Sequence, residues 1–495
     1  MTSKSNVLFL LSDQHNPHVA GFAGNSIVRT QNLDRLAAES LQFDAAYCQT
    51  PLCTPSRISM WTGRLPHLCG AWKNNMPIFP EFPTMPEHFA DHGYATCGVG
   101  KMHVGGKRPM NGFQLRPYGD LKPNAFCGHQ PDPLKTAASN VWTNHKIGRF
   151  PFAGETEIPE GLLQDNVVTR ESLAFILEHA DRHPDRPWFV CASYQRPHHP
   201  LTAPGRYIRR YWPDGPELHP LPEGYPDKLH PHDRFIVEDF SLAEFSEEER
   251  RQGLAAYYAA VDFLDDCIGE MLQGLAEAGL LDNAIIIYTS DHGDLASEHG
   301  LWWKRSYYDG SAGVPLLIRV PGGKPGRASE VVELLDVFPT LCELCGVPVP
   351  DSLDGESLSP LFEAHTRGER KKDFARSQYI ARMETTFRMI RTPRWKYVEF
   401  PEYPPVLFDM ANDPEEQRNV AFLSENGSVV SELHARLWED GESWESLNAR
   451  KKAEQERAEK EFSVHTDCSP NQYALPDGTI VDAEGMLYER ILGNP

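Results

Sequence analysis

The sequence predicts an α/β fold in which a large, mostly parallel β-sheet is sandwiched by helices. Short β-rich apolar runs alternate with longer segments of helical apolar spacing, an order typical of parallel strands joined by helical crossovers. The chain has 495 residues, 40% of them hydrophobic and 24% charged. It is therefore long enough to bury one large core, and its charge content is typical of a globular protein.

The individual elements are predicted from apolar periodicity and from the turn residues that bound each run. The predicted strands are residues 7–11, 95–98, 188–193, 284–289 and 314–319. The predicted helices are residues 32–39, 166–180 and 254–278. The last helix has the clearest pattern, since apolar side chains recur there every three or four residues. Two segments rich in proline, glycine and histidine, residues 104–151 and 195–244, are predicted to be long functional loops.

A rise in charge density after about residue 363 predicts a change of domain. We expect a catalytic domain at residues 1–365 and, at 366–447, a smaller C-terminal subdomain with a short antiparallel sheet and a helix. The predicted strands of this sheet are residues 377–383, 387–392, 396–400 and 406–409. Residues 448–495 form a charged helix and a tail with few apolar residues, which we expect to dock on the main body or on a partner subunit of a homo-oligomer.

Charge and hydropathy exclude several classes of partner. The 70 acidic and 48 basic residues give a net charge of −22, which repels nucleic acids and anionic membrane surfaces. The first apolar run, residues 6–12, is too short for a signal peptide, and no later run approaches the roughly 20 apolar residues of a membrane-spanning helix. We expect a cytoplasmic protein whose ten scattered cysteines form no disulfides.

Polar pairs follow two of the predicted strands. Asp13 and Gln14 come directly after the first strand, and Asp291 and His292 come after the strand at 284–289. Because open α/β sheets bind ligands at the carboxyl ends of their strands, these four side chains could hold a divalent cation. Either pair alone is more often a helix cap or a turn. The two pairs together make a metal site and a structural role about equally plausible.

Cys53 lies in the segment Pro51-Leu-Cys-Thr-Pro-Ser-Arg57. Pro55 suits the first turn of a helix, so Cys53 lies near a helix N-terminus, where free N–H groups stabilise an anion. Arg57 returns to the same side one turn later and offers several donors to a tetrahedral oxyanion. Without its surrounding motif, a buried cysteine is ordinarily inert.

The segment from Cys53 to Gly63 resembles the motif C-x-P-S-R-x-x-x-x-T-G of the type I sulfatases in the alkaline phosphatase superfamily. Residues 93–103 are similar to a second motif of that family, G-Y-x-T-x-x-x-G-K-x-H. The likeness continues through residues 197–200, 290–293 and 300–315 and covers about residues 5–420. It implies an alkaline phosphatase-like fold and the hydrolysis of sulfate esters with release of inorganic sulfate.

The resemblance also implies a set of site residues. The implied catalytic residues are Cys53, Arg57, Lys101, His103, His198 and Lys304; the implied metal ligands are Asp13, Gln14, Cys53, Asp291 and His292; Asn75 is the implied substrate contact. A maturase would oxidise Cys53 to formylglycine, whose hydrated aldehyde attacks sulfur and forms a covalent sulfo-enzyme intermediate. Arg57 and Lys101 would neutralise sulfate oxygens, and His103 would hydrogen-bond the nucleophile. His198 and Lys304 would donate a proton to the leaving group.

The metal ligands depart from the commonest sulfatase pattern, which has Asp-Asp and Asp-Asn where this chain has Asp13-Gln14 and Asp291-His292. The sequence thus resembles the branch that contains choline-sulfatases and phosphonate monoester hydrolases. Calcium is the metal that the resemblance implies, and the added imidazole makes manganese an alternative.

Two other functions are compatible with this sequence. A phosphonate monoester hydrolase or phosphodiesterase would share the nucleophile, although Lys101 and His103 fit a sulfate monoester better. An inactive sulfate-binding scaffold would have lost the nucleophile or a ligand, and none is lost.

The substrate predictions are choline sulfate, an aryl sulfate or a sulfated sugar, because aromatic side chains suit all three. The residues that flank the motifs and could line the pocket, besides Asn75, are Trp72, Asn74, Trp302 and Trp303.

Overall fold

The computed structural model describes residues 5–106, 110–119, 150, 153–156, 158–362, 370–462, 472–474 and 480–482. Its strands are β1 (Asn6–Asp13), β2 (Leu41–Tyr47), β3 (Ala95–Gly100), β4 (Gly154–Glu155), β5 (Trp188–Pro197), β6 (Thr202–Ala203), β7 (Ala284–Ser290), β8 (Leu316–Arg319), β9 (Gly326–Glu333), β10 (Ala375–Tyr379), β11 (Phe387–Arg391), β12 (Trp395–Glu399), β13 (Val406–Asp409), β14 (Gln472–Ala474) and β15 (Ile480–Asp482).

The α-helices of the described residues lie mostly between these strands. They are α1 (Gln31–Ala38), α2 (Cys53–Thr62), α3 (Pro66–Cys69), α4 (Met85–Asp91), α5 (Gln164–Arg182), α6 (Gly205–Tyr211), α7 (Pro231–Asp239), α8 (Glu247–Glu277), α9 (Asp309–Ala312), α10 (Val337–Leu344), α11 (Gly427–Leu437) and α12 (Trp444–Arg457). None of the helices in the described part of the chain is both long and apolar enough to cross a membrane.

The main sheet has seven strands in the order β3-β5-β1-β7-β8-β2-β9. Only β8 runs against its neighbours; the other pairings are parallel. Side chains along β1 alternate between two cores. Leu8 and Leu10 pack on the side of α5 and α8, whereas Val7, Phe9 and Leu11 pack on the side of α10. The predicted class, a mixed and mostly parallel sheet sandwiched by helices, is confirmed.

All five strands predicted for this sheet are present, but β2 and β9 were not predicted from the sequence. Both lie at one edge of the sheet, where exposed side chains interrupt the apolar run, as Asp44 does in β2. The segment predicted as a loop at residues 195–244 also contains two helices, α6 and α7, whose short amphipathic patterns are broken by prolines. Much of the other predicted loop, residues 104–151, lies outside the described residues.

A second sheet follows, with four antiparallel strands in the order β10-β11-β12-β13. The predicted small C-terminal antiparallel sheet is thereby confirmed. Helix α11 packs on its apolar face through Leu433 and Leu437. Helix α12 lies within the stretch predicted to dock, and it contacts the main body: Trp72 Nε1 donates a hydrogen bond to Glu454 Oε2 over 2.5 Å.

Buried charges join the second sheet to the main one. The Lys396 ammonium group on β12 is fully buried and forms ion pairs with Asp309, on α9, and with Glu416. Helix α9 in turn lies against Gly293, where a Cβ atom would meet the Gly310 carbonyl oxygen at 2.0 Å. Lys396 therefore helps to hold the chain segment that follows β7.

Replacing Lys396 by methionine should leave the buried Glu416 carboxylate and the largely buried Asp309 carboxylate without the ammonium group that they share. The expected loss in the free energy of unfolding is about 3–5 kcal/mol, as for other broken buried ion pairs. Urea denaturation would measure this loss. The matched control is Lys371→Met, since Lys371 is exposed; equal losses in the two variants would contradict the structural role of Lys396.

Candidate active site

The predicted site residues converge because their strands are neighbours in the sheet. Asp13 ends β1, and Asp291 follows β7, whose Ser290 pairs in register with Ser12 of β1. On the other side of β1, Asp13 pairs with Pro197 of β5, which places His198 beside it. The carboxyl ends of parallel strands meet at one edge of a sheet, so loops that are far apart in sequence share this edge.

Helix α2 brings Cys53 to the same edge. Cys53 is its first residue, and all ten residues of the helix are buried. The N-terminus is held from two directions: Asn74 Oδ1 accepts a hydrogen bond from Thr54 N (3.1 Å), and Ser56 Oγ donates one to the Asp291 carbonyl oxygen (2.5 Å). The free N–H groups and dipole of the helix therefore face the ends of β1 and β7.

Four predicted metal ligands form one compact group. Potential donor atoms of Asp13, Cys53, Asp291 and His292 all lie within 4.8 Å of one another, and all four residues are buried. His292 Nδ1 lies 2.9 Å from the Gly293 carbonyl oxygen, so Nδ1 donates there and the lone pair of Nε2 faces the group. The Oε1 atom of Gln14 is buried and has no hydrogen-bond partner among the described residues. This donor set fits a divalent cation.

Arg57 joins the two carboxylates of this group. Its Nε donates to Asp291 Oδ2 (2.7 Å), and its Nη2 donates to Asp13 Oδ2 (3.0 Å). Nη1 donates to the Lys101 carbonyl oxygen (2.6 Å) and to Ser193 Oγ (2.9 Å). Most of the guanidinium N–H groups are therefore bonded to protein oxygens. This arrangement positions the carboxylates, a role that the sequence motif did not indicate.

Two lysines face the nucleophile position. Lys304 Nζ lies 3.0 Å from Cys53 Sγ, and Lys101 Nζ lies 2.8 Å from Asp13 Oδ2. Burial raises the pKa of the Cys53 thiol, but Lys304, Lys101 and His292 together hold it well below its usual value. Burial likewise raises the pKa of Asp13, and the neighbouring cations Lys101 and Arg57 bring it below its usual range. The site thus stabilises negative charge at residue 53.

Two predicted histidines also reach this position. His103 and His198 both hydrogen-bond the Cys53 side chain. Burial, with the charges of Lys101 and Lys304, lowers the pKa of His198 to about 3 against the opposing effect of Asp13. His198 Nδ1 lies 2.8 Å from the His199 carbonyl oxygen and donates to it. In its neutral form His198 therefore presents Nε2 to the site as an acceptor.

The predicted substrate contact lies beside the helix that carries Cys53. Asn75 N donates to Thr54 Oγ1 over 3.4 Å, and the Asn75 Oδ1 atom is buried without a hydrogen-bond partner in the part of the chain that the structure describes. Trp302 and Trp303 instead pack in the core with Phe150. These two tryptophans contribute to packing, as does Trp72, whose indole bonds Glu454.

Two residues that contact predicted site residues were not singled out from the sequence. Ser193 Oγ bonds Arg57, and Asp294 Oδ2 accepts a hydrogen bond from Gln14 Nε2 over 2.5 Å. The available signal for Asp294 was its place two residues after His292. For Ser193, the only available signal was its position at the end of a predicted strand.

Two family models match the chain. The model described as Sulfatase matches residues 5–347. The model described as N-sulphoglucosamine sulphohydrolase, C-terminal, matches residues 297–443.

Individual relatives match over most of their length. The choline-sulfatase of Rhizobium meliloti (strain 1021) is 33% identical over 433 residues, which cover 85% of this chain and 83% of that protein. Arylsulfatase K of Bos taurus is 28% identical over 471 residues, covering 87% and 81%. The crystal structure of the phosphonate monoester hydrolase of Agrobacterium radiobacter superposes with a TM-score of 0.73 at 24% identity, covering 97% of this chain and 99% of that one.

Replacing Arg57 by glutamine should leave Asp13 and Asp291 as adjacent buried carboxylates without their shared cation. With a chelator present, so that no added metal replaces the guanidinium charge, we expect the free energy of unfolding to fall by about 3–5 kcal/mol. The control is Arg64→Gln, which breaks the half-buried pair with Asp354 and should cost no more than about 1 kcal/mol. Similar losses in both variants would show that Arg57 does not organise the two carboxylates.

Proposed function

The chain belongs to the sulfatase family and hydrolyses sulfate esters, and we propose that its nucleophile is formed at Cys53 by oxidation to formylglycine. The observation that carries this proposal is the setting of Cys53. It is the first residue of a buried helix, its Sγ lies 3.0 Å from Lys304 Nζ and 3.2 Å from His292 Nε2, and it shares a compact donor group with two carboxylates. Formylglycine supplies a hydrated aldehyde with one oxygen to attack sulfur and a second hydroxyl to expel sulfate.

We propose that Asp13, Gln14, Asp291 and His292, with residue 53, hold one divalent cation. Such a cation would supply positive charge that polarises the nucleophile and the sulfate oxygens. Calcium suits the oxygen donors, and the imidazole of His292 keeps manganese as the alternative. The unpartnered Gln14 Oε1 supports the assignment of Gln14, because a buried acceptor without a partner is costly unless a ligand satisfies it.

The charges of the site support a set of roles that we propose for the chain's own residues. Lys101 Nζ contacts Asp13 and Lys304 Nζ contacts Cys53, so both ammonium groups are proposed to neutralise the sulfate oxygens as negative charge develops. Arg57 acts through Asp13 and Asp291, since most of its donors bond protein oxygens. His103 contacts residue 53 and is placed to accept its proton.

Proton donation to the leaving oxygen falls to Lys304 rather than His198. The ammonium group of Lys304 lies next to residue 53 and can act as a proton donor. His198 Nδ1 donates to the His199 carbonyl oxygen, so the nitrogen that faces the site, Nε2, is left as an acceptor in the neutral ring. We propose that His198 orients the substrate as an acceptor and that Asn75 binds the alcohol part of the substrate.

Several wider features are also proposed. The names of the two relatives support choline sulfate and aryl sulfates as substrates, and the name of the C-terminal family model supports a sulfated amino sugar. A cytoplasmic location is supported by the eight cysteines of the described residues, which are all buried and form no disulfide with one another. We further propose maturation of Cys53 by a formylglycine-generating maturase, the division into units at residues 1–365, 366–447 and 448–495, and a homo-oligomer involving the tail.

Cys53→Ala should abolish sulfate release without unfolding the protein, because alanine fits the buried helix start but has no nucleophile. We expect activity on 4-nitrophenyl sulfate to fall roughly 10⁴- to 10⁶-fold, as in other hydrolases that lose a nucleophile. Cys69→Ala is the matched control, since Cys69 is a buried cysteine outside the donor group. Mass spectrometry of the Cys53 peptide should show formylglycine after co-expression with a maturase; an active enzyme with an unmodified thiol would refute the proposal.

The reaction class can be tested by comparing leaving groups on one enzyme preparation. The paired cations Lys101 and Lys304 suit a sulfate monoester, so kcat/KM for an aryl sulfate should exceed that for an aryl phosphonate monoester or a phosphodiester. We expect a difference of at least about 100-fold, equivalent to nearly 3 kcal/mol of transition-state stabilisation. Measuring kcat/KM for choline sulfate and for sulfated sugars with the same enzyme preparation would rank these substrate classes. Faster turnover of the phosphorus esters would reverse the assignment.

A further inference from the structure

Asp294 is a fully buried carboxylate that the proposed reaction does not use. It lies two residues after His292, in the loop that follows β7. Its Oδ2 accepts a hydrogen bond from Gln14 Nε2 over 2.5 Å. Its Oδ1 accepts hydrogen bonds from Ala296 N (2.8 Å) and Trp303 N (3.0 Å). One carboxylate thus contacts a proposed metal ligand and the segment that carries Lys304.

The contact with Gln14 determines which way its amide faces. A glutamine amide presents an oxygen on one side and an NH₂ group on the other. Because an ionised carboxylate only accepts hydrogen bonds, Asp294 selects the orientation in which Nε2 faces it. Oε1 is then left as a buried acceptor that no other described residue satisfies. A cation requires that oxygen, and the opposite orientation would offer it an NH₂ group instead.

The second contact holds a strained segment. Trp303 and Arg305, on either side of Lys304, have positive φ angles of 65° and 75°. This left-handed conformation is unfavourable for residues other than glycine, so it persists only where neighbouring groups enforce it. The Trp303 N–H bonds Asp294, its carbonyl oxygen accepts from Leu295 N (2.7 Å), and Arg305 N donates to the Pro51 carbonyl oxygen (3.2 Å).

We propose that Asp294 is a positioning residue that orients the Gln14 amide oxygen for the metal and fixes the backbone that presents Lys304. The inference rests on the proposed metal site. It assigns to one side chain the alignment of two parts of the reaction centre, which lie about 290 positions apart in the chain. Asp294 lies outside the compact donor group formed by Asp13, Cys53, Asp291 and His292, so it is not itself proposed as a metal ligand.

Asp294→Asn tests the orientation of Gln14. The asparagine Oδ1 must still accept from Ala296 and Trp303, so its NH₂ group faces Gln14 and forces that amide to turn. Calorimetric titration with CaCl₂ and with MnCl₂ should show affinity reduced by about 10- to 100-fold, the range for lost partners of metal ligands. The double variant Gln14→Glu/Asp294→Asn should recover the affinity, because one glutamate oxygen can accept from the introduced asparagine amide while the other faces the metal.

The matched control is Asp265→Asn, since Asp265 is another buried carboxylate that accepts two backbone N–H groups, from Asn32 and Leu33. It should leave metal affinity unchanged. Unaltered affinity in Asp294→Asn, or no recovery in the double variant, would overturn the inference. If Asp294→Asn does not fold, the double variant provides the test. Recovery of both folding and metal affinity would support the inference, and failure to recover them would overturn it. If the unsubstituted protein binds neither cation, the proposed metal site itself fails.

The Lys304 contact is tested separately with Asp294→Ala, which removes both acceptors, whereas Asp294→Asn keeps Oδ1. With each variant saturated with metal, kcat on 4-nitrophenyl sulfate should be at least about tenfold lower for the alanine variant than for the asparagine variant. Equal kcat values would overturn the positioning of Lys304 by Asp294.

Discussion

The buried pairing of Arg57 with Asp13 and Asp291 is the interaction on which the rest of the site depends. Two carboxylates at neighbouring strand ends repel each other when water is excluded, and burial of either one alone is costly. A guanidinium between them supplies a shared charge and a rigid set of donors. Because Arg57 and Cys53 are one turn apart on α2, the same ion pairs also fix the nucleophile position relative to the metal ligands.

A local excess of cations around this pairing explains how an acidic protein can process anionic esters. The chain carries a net charge of −22, yet Arg57, Lys101 and Lys304 all face the donor group. Buried charges interact strongly because little water screens them. The same positive charges lower the pKa values of Cys53 and Asp13. The surface charge therefore affects solubility and encounter rates, while three buried side chains determine which ligand is stabilised.

Much of the fold and of the site was predictable from the sequence, because strand ends and motif residues are local features. The five predicted strands of the main sheet and the four C-terminal strands are present, and the predicted ligands Asp13, Cys53, Asp291 and His292 form one group. Contacts between distant segments were not predictable. The motif predicts that Arg57 neutralises sulfate oxygens, and it gives no sign of the hydrogen bonds that Arg57 also makes to Asp13, Asp291, the Lys101 carbonyl oxygen and Ser193. No local pattern indicates which way the Gln14 amide faces, since its partner follows 280 residues later.

Five of the eleven non-glycine residues with positive φ angles in the described part of the chain belong to this site or flank it. Gln14, Asn75, His103, Trp303 and Arg305 all adopt positive φ angles although none of them is glycine. Each such residue costs of order 1–3 kcal/mol and survives only where the surroundings determine its conformation. Here the surroundings are two large cores and the buried hydrogen bonds of Arg57 and Asp294. Because of these backbone conformations, short loops at the strand ends turn their side chains inward. Polar side chains that follow four different strands therefore meet in one site. The stability of the packed sheet thus offsets the strain that brings these groups together.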